Sequence, residues 1–123
     1  MNDKRPVNLH VTSWFPITAV VSILHRVSGV ALYAGIAVLL WALATSLESE
    51  ESFLALQDTL SNPLCLFILW ATLAALAYHL VAGIRHLIMD FGFGEELKSG
   101  RLGAQLVIVV AVVLIALVGV WLW

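Results

Sequence analysis

Three long stretches of this chain are apolar all the way round a helix instead of along one stripe. They run from Val27 to about Ser46, from about Pro63 to Met89 and from Ala104 to Trp123, and Leu, Val, Ile and Ala dominate them. A helix that packs one face on a soluble core keeps a polar face for water, and these stretches have none. Each is close to the ~20 residues needed to cross the hydrocarbon core, where a helix satisfies its own backbone groups. The pattern predicts an all-α membrane protein with three transmembrane helices, at approximately 22–47, 63–90 and 103–123. Together they form a single membrane-anchor domain, with residues 1–21 as a segment on the near side of the membrane.

The connections carry their own signals. Pro16 is expected in the first turn of a helix that starts before the membrane, with Ser13 as its cap. Between the first two spans, Glu48 to Asn62 is acidic, and Phe53, Leu54, Leu56 and Leu60 are spaced as a short amphipathic turn. That segment reads as an interfacial cover. Trp121 and Trp123 close the third span where an aromatic belt belongs.

Composition strengthens the membrane reading. The chain is 62% hydrophobic and 11% charged, with a mean hydropathy of +1.01, against roughly 25% charged residues in ordinary soluble domains. A net charge of −2 gives no footing for nucleic acid. The basic residues are confined to one side. Lys4, Arg5 and Arg26 stand at the start of the first span, Arg85, Lys98 and Arg101 flank the turn between the second and third, and the first loop has none. By the positive-inside rule the N-terminus is cytoplasmic and the C-terminus periplasmic. Pro6 to Phe15 is too mixed for a signal peptide, and residues 1–10 do not resemble a transit peptide. A bacterial inner membrane, crossed several times, is the expected location. Cys65 is the single cysteine, so no internal disulfide or cysteine metal site can form within this chain, and its apolar setting favours a buried, inert thiol.

Against this apolar background the polar residues stand out. His79 lies well inside the second span, roughly 9 Å from the charged boundary at Arg85 by helical rise. An imidazole at that depth is costly unless paired, ligated or facing a cavity. It either hydrogen-bonds a neighbouring helix or serves as an axial haem ligand. Gly83 and His86 share its helix face, the glycine leaving room for a flat cofactor and His86 placed to reach carboxylates near the interface. Arg85 lies beside that face and has charge to offer the same carboxylates. A second group, Ser22, His25, Arg26 and Ser28, forms one patch on the first helix. It reads either as a snorkelling arginine beside an interfacial histidine or as a site for an amphipathic molecule with a polar head, such as a quinone. Asp90 is a solvated helix end, Tyr78 points away from His79's face, and Tyr33, Trp41 and Trp70 are packing residues.

Four segments taken together, Arg5-Pro6-Val7-Asn8-Leu9, Ser22-Ile23-Leu24-His25-Arg26-Val27-Ser28-Gly29, His79-Leu80-Val81-Ala82-Gly83-Ile84-Arg85-His86 and Met89-Asp90-Phe91-Gly92, closely resemble the cytochrome b subunits of succinate dehydrogenase, the larger membrane anchors of respiratory complex II. The third span is similar in character only. The resemblance implies half of a haem-binding anchor bundle. In it His79 is an axial ligand of haem b, a second anchor subunit gives the other ligand, and His25 and His86 lie near the propionates. It also implies that Ser22 and Arg26 help to bind ubiquinone. The expected partners are that second anchor, an iron-sulfur subunit and a flavoprotein subunit, besides membrane lipid.

The residues are consistent with such a division of labour. One deep histidine leaves a haem short of a ligand, and the chain has no nucleotide motif, cysteine cluster or soluble domain with which to oxidise succinate. Its own chemistry would be quinone reduction at the cytoplasmic interface by electrons from the iron-sulfur subunit. A cofactor-free structural anchor is one competing reading. A transporter subunit with His79 in a proton path is another, although the spans hold no further buried acids to continue such a path.

Overall fold

The computed structural model describes residues 16–123. Four helices follow one another: α1 (Ile17–Glu48), α2 (Glu50–Ser61), α3 (Pro63–Asp90) and α4 (Leu97–Leu122). There is no strand among the described residues. The long helices α1, α3 and α4 are each apolar and long enough to span a membrane, and at 1.5 Å per residue α1 is about 48 Å long, well beyond the hydrocarbon core. The expected spans overlap these helices, with α1 beginning earlier, at Ile17, and α4 running from Leu97 to Leu122, one residue short of the expected end.

Local chemistry sets the boundaries. Pro16 is the N-cap of α1, not a first-turn residue, with φ −58° and ψ 142°. Its carbonyl accepts from Ala19 N at 2.8 Å and Val20 N at 3.2 Å, so the helix starts just after it. The expected cap, Ser13, lies outside the described residues. Ser49, extended at φ −162°, ends α1 and caps α2, accepting from Ser52 N at 3.1 Å, and Glu50 and Glu51 face the positive end of the α2 dipole. The acidic connection is thus a full helix of 12 residues where only a turn is legible from its apolar spacing. Leu56 is its buried anchor. Asn62 caps α3 through Leu64 N at 2.9 Å with Pro63 at the first helical position. After Asp90 the chain reverses through Gly92 and Gly94, both at positive φ (85° and 79°), which only glycine adopts without strain.

The helices meet through small residues. Val21, Ala82, Ala104 and Val107 form the core where α1, α3 and α4 converge. At Gly35, a Cβ would stand 2.7 Å from Thr72 Cγ2, so that glycine permits the close crossing of α1 and α3. Polar handles tie the helices further. The Tyr78 hydroxyl donates to Val21 O at 2.9 Å, and Trp70 Nε1 donates to Ile115 O at 3.3 Å beside Gly119. Trp70 therefore packs as expected, and Tyr78 is turned to α1. Tyr33 and Trp41 differ from expectation, being 89% and 55% exposed. Cys65 is only half-buried, because this chain buries few residues of α3, Thr72, Ala82 and Arg85. Much of the bundle surface is left for lipid or other subunits.

Candidate functional site

The crossing of α1 and α3 brings His25, His79 and His86 into one cluster. The ring of His25 stacks on His79 at 4.2 Å between centroids, tilted by 20°, and approaches His86 at 4.9 Å. His79 and His86 are seven residues apart on α3 and so share a face; His25 comes from α1 and its ring lies against both, over Gly83. A Cβ on Gly83 would meet His25 Nε2 at 3.5 Å.

The ring of His79 is fixed by α1. Its Nδ1 lies 3.1 Å from the backbone carbonyl of His25 and 3.0 Å from Ser28 Oγ. A carbonyl can only accept, and the single hydroxyl proton of Ser28 is directed to the same carbonyl at 2.7 Å. The proton of His79 therefore sits on Nδ1, shared between two oxygens, and Nε2 carries the lone pair. Gly29 completes the seat, since a Cβ there would lie 3.1 Å from His79 Cε1. Ser28 is 7% exposed and Gly29 is partly covered. Spacing placed Ser28 in a polar patch on α1 and gave Gly29 no role; the bearing of both on His79 depends on a helix crossing that spacing does not contain.

Beside the cluster opens a groove of about 400 Å³, lined by the three histidines and by Leu80, Gly83, Ile84 and Leu87. It combines apolar walls, one flat position at Gly83 and three imidazoles. His25 Nε2 is buried there without a hydrogen-bond partner among the described residues. Such an orphan costs about 1–3 kcal/mol unless something binds it. A planar apolar group with acidic substituents fits this donor set: a lone pair at His79 Nε2, apolar sides, and an unpartnered ring nitrogen at His25. No group of three His, Cys, Asp or Glu able to hold a metal ion exists among the described residues, so His79 would act as a single ligand.

Ser22 and Arg26 stand on the adjoining flank of α1. At about 100° per residue, Ser22 lies about 60° round the helix from His25 and Arg26 a further 40° on. Ser22 is half-buried and Arg26 exposed, so both project beside the histidines but away from this chain's own core. Arg85 is not brought to the histidine face. It is 9% exposed on the α4 side of α3, where Nη2 donates to Gly100 O at 3.2 Å and Nε fits against Gly103. Arginine is long enough to turn either way at an interface; two glycines on α4 give it a seat on that side.

These features define a small multi-pass membrane protein that presents a histidine-lined groove to its surroundings. A family model described as succinate dehydrogenase/fumarate reductase transmembrane subunit matches residues 1–118, and the chain belongs to that family. Among its relatives is the succinate dehydrogenase cytochrome b556 subunit of Coxiella burnetii, 45% identical over all of both chains. The subunit of the same name from Paracoccus denitrificans is 36% identical over 93% of this chain and 88% of its own. That from Rickettsia prowazekii is 35% identical over 96% and 93%. Family, three apolar helices and bacterial relatives agree on a multi-pass subunit of the inner membrane.

Proposed function

We propose that this chain is the cytochrome b anchor of a succinate:ubiquinone oxidoreductase, holding haem b jointly with a second anchor subunit and forming part of the quinone site. The observation that carries the reading is the bond from His79 Nδ1–H to the His25 carbonyl at 3.1 Å. Histidines that ligate metals characteristically donate their other ring nitrogen to a carbonyl or carboxylate, which fixes the ring and its tautomer. His79 is the axial ligand in this reading, and His25 and His86 are placed for propionates, with the orphaned His25 Nε2 as donor. A b-type haem bound there supplies one-electron storage within the membrane. Arg85, tied to α4, orients the helix pair instead of meeting the propionates.

Ser22 and Arg26 bind ubiquinone on the exposed flank. Ser22 donates a hydrogen bond to a quinone oxygen and Arg26 stabilises the negative charge that develops on it during reduction. Electrons come from the iron-sulfur subunit, itself fed by the flavoprotein subunit, and those subunits dock at the basic end of the bundle. That end is the cytoplasmic one by charge, with the C-terminus in the periplasm.

The test is spectroscopic. In the complex co-expressed with its partners, His79→Leu should abolish or strongly alter the reduced-minus-oxidised b-type spectrum. An unaltered spectrum removes His79 as ligand. Ser22→Ala and Arg26→Leu should each lower succinate:quinone activity by roughly 100-fold or more, the scale of one lost transition-state donor. Succinate oxidation with a soluble artificial acceptor should stay near its original rate. Equal loss of both activities would mean that the substitutions act on assembly.

A further inference from the structure

Ser28 belongs by sequence to the polar patch of α1, yet its hydroxyl faces away from Ser22 and Arg26. By helical rotation it lies about 120° round from Ser22, on the buried side of the helix that also carries Val21 and Leu32. There it meets His79 at 3.0 Å and its own helix at the His25 carbonyl, 2.7 Å away. A serine bonded back to a carbonyl three residues earlier is common in helices, and alone it would signify nothing. What distinguishes Ser28 is that the carbonyl it donates to is the one that receives the Nδ1 proton of His79. The three atoms form a closed set: one carbonyl, one hydroxyl and one ring N–H.

We infer that Ser28 is a positioning residue for the cofactor ligand: by presenting its oxygen to His79 Nδ1–H while its proton is held by the His25 carbonyl, it locks the Nε2-ligating tautomer and sets how strongly that imidazole donates electrons. The inference rests on the proposed haem reading and deepens it. Its physical basis is that accepting a hydrogen bond from the distal N–H of a ligating imidazole increases the ring's basicity. A more basic ligand favours the oxidised metal. Removing the Ser28 oxygen leaves the N–H with the carbonyl alone, makes the ring a weaker donor and raises the reduction potential. Release of the cofactor also becomes easier, because the ring gains freedom to rotate away from Gly29.

The experiment uses the whole complex, purified after co-expression, with Ser28→Ala, Ser28→Thr and Ser28→Cys. Redox titration of the b-type absorption and the rate of haem transfer to excess apomyoglobin are measured, neither of which needs turnover. Ser28→Ala should shift the midpoint to higher potential and speed haem transfer about ten-fold, the lower end of what loss of such an outer partner produces. Ser28→Thr, which keeps the hydroxyl, should restore both values. An alanine variant with wild-type potential and transfer rate overturns the inference, as does a threonine variant shifted as far as alanine, which would make the effect one of packing. Should the alanine variant fail to assemble, Ser28→Cys keeps the volume with a weaker hydrogen bond: a shift in the same direction supports the inference, and no shift overturns it. His79→Leu separates the two levels of argument. If it keeps the spectrum, the haem reading itself fails; if it loses the spectrum while the Ser28 variants are unchanged, only the role of Ser28 fails.

Discussion

At the scale of single residues, the site depends on contacts with no room for a branched side chain. Gly29 sits so close to His79 that a Cβ would lie 3.1 Å from the ring. Gly29→Ala should be accommodated by a displacement of a few tenths of an ångström. Gly29→Val cannot be, and overpacking of this kind costs about 1–3 kcal/mol. In the purified complex, Gly29→Val should displace the ring, shift the b-type absorption maximum and lower haem content, whereas Gly29→Ala should stay close to the parent. Equal spectra for all three proteins would show that the glycine has no bearing on the ring. The identity of the ionisable residues was legible in the sequence, because an imidazole at the depth of His79 needs a reason to be there. The seat around it was not. Ser28 and Gly29 are ordinary small helical residues until another helix crosses over them, and nothing in their spacing along α1 states where that crossing falls.

At the scale of elements, the clearest departure from the sequence reading is Arg85. Its place beside His86 suggested a partner for the same carboxylates, but α4 offers Gly100 and Gly103 side by side, and the guanidinium occupies the gap between α3 and α4. The two placements make different predictions. Arg85→Leu should remove a charged hydrogen bond worth about 1.5–3 kcal/mol and lower the thermal midpoint of the complex, while leaving the b-type absorption maxima where they are. A spectral change comparable to that of His25→Leu or His86→Leu would return Arg85 to the cofactor. The helices themselves were easier to read. Apolar length fixed α1, α3 and α4, since in lipid there is no competing way to satisfy a backbone. The segment that became α2 was harder, because its acidic composition suits a loop and its helix depends on Ser49 acting as the end of one helix and the cap of the next. Tyr78 gives a measure of how the elements hold together. Its bond to Val21 O joins α3 to α1, and Tyr78→Phe should destabilise that pair by about 0.6 kcal/mol, the average for an interhelical bond in a membrane, read as a small fall in the thermal midpoint.

At the scale of the whole molecule, the described helices leave wide apolar surfaces uncovered. Tyr33 and Trp41 are exposed on α1, and Leu80 and Ile84 are exposed on α3 where they line the histidine groove, surfaces open to lipid or to another subunit. Charge gives the helices a direction. Because α1 and α4 run one way and α3 the other, the start of α1, the end of α3 and the start of α4 lie together, and Arg26, Arg85, Lys98 and Arg101 all fall toward that end. The opposite end carries Glu48, Glu50, Glu51 and Asp58 with α2, and closes at Trp121 and Trp123. Three of the four described cations are exposed, and Arg85, the buried one, is still near its helix end. Each is therefore placed to resist translocation, a barrier that acidic residues at the other end do little to oppose. A reporter fused after Trp123 should thus behave as a periplasmic domain: alkaline phosphatase active, green fluorescent protein dark. The same reporters inserted between Glu95 and Glu96, in the turn between α3 and α4, should give the reverse. Replacing Lys98 and Arg101 by Gln while adding two lysines beside Glu50 should weaken this preference and produce a mixed population, because the bias is carried by few charges in short loops. Uniform activity of the phosphatase at both positions would show that the basic end does not decide how the chain crosses the membrane, and would remove the argument that places the quinone flank and the docking end on the cytoplasmic side.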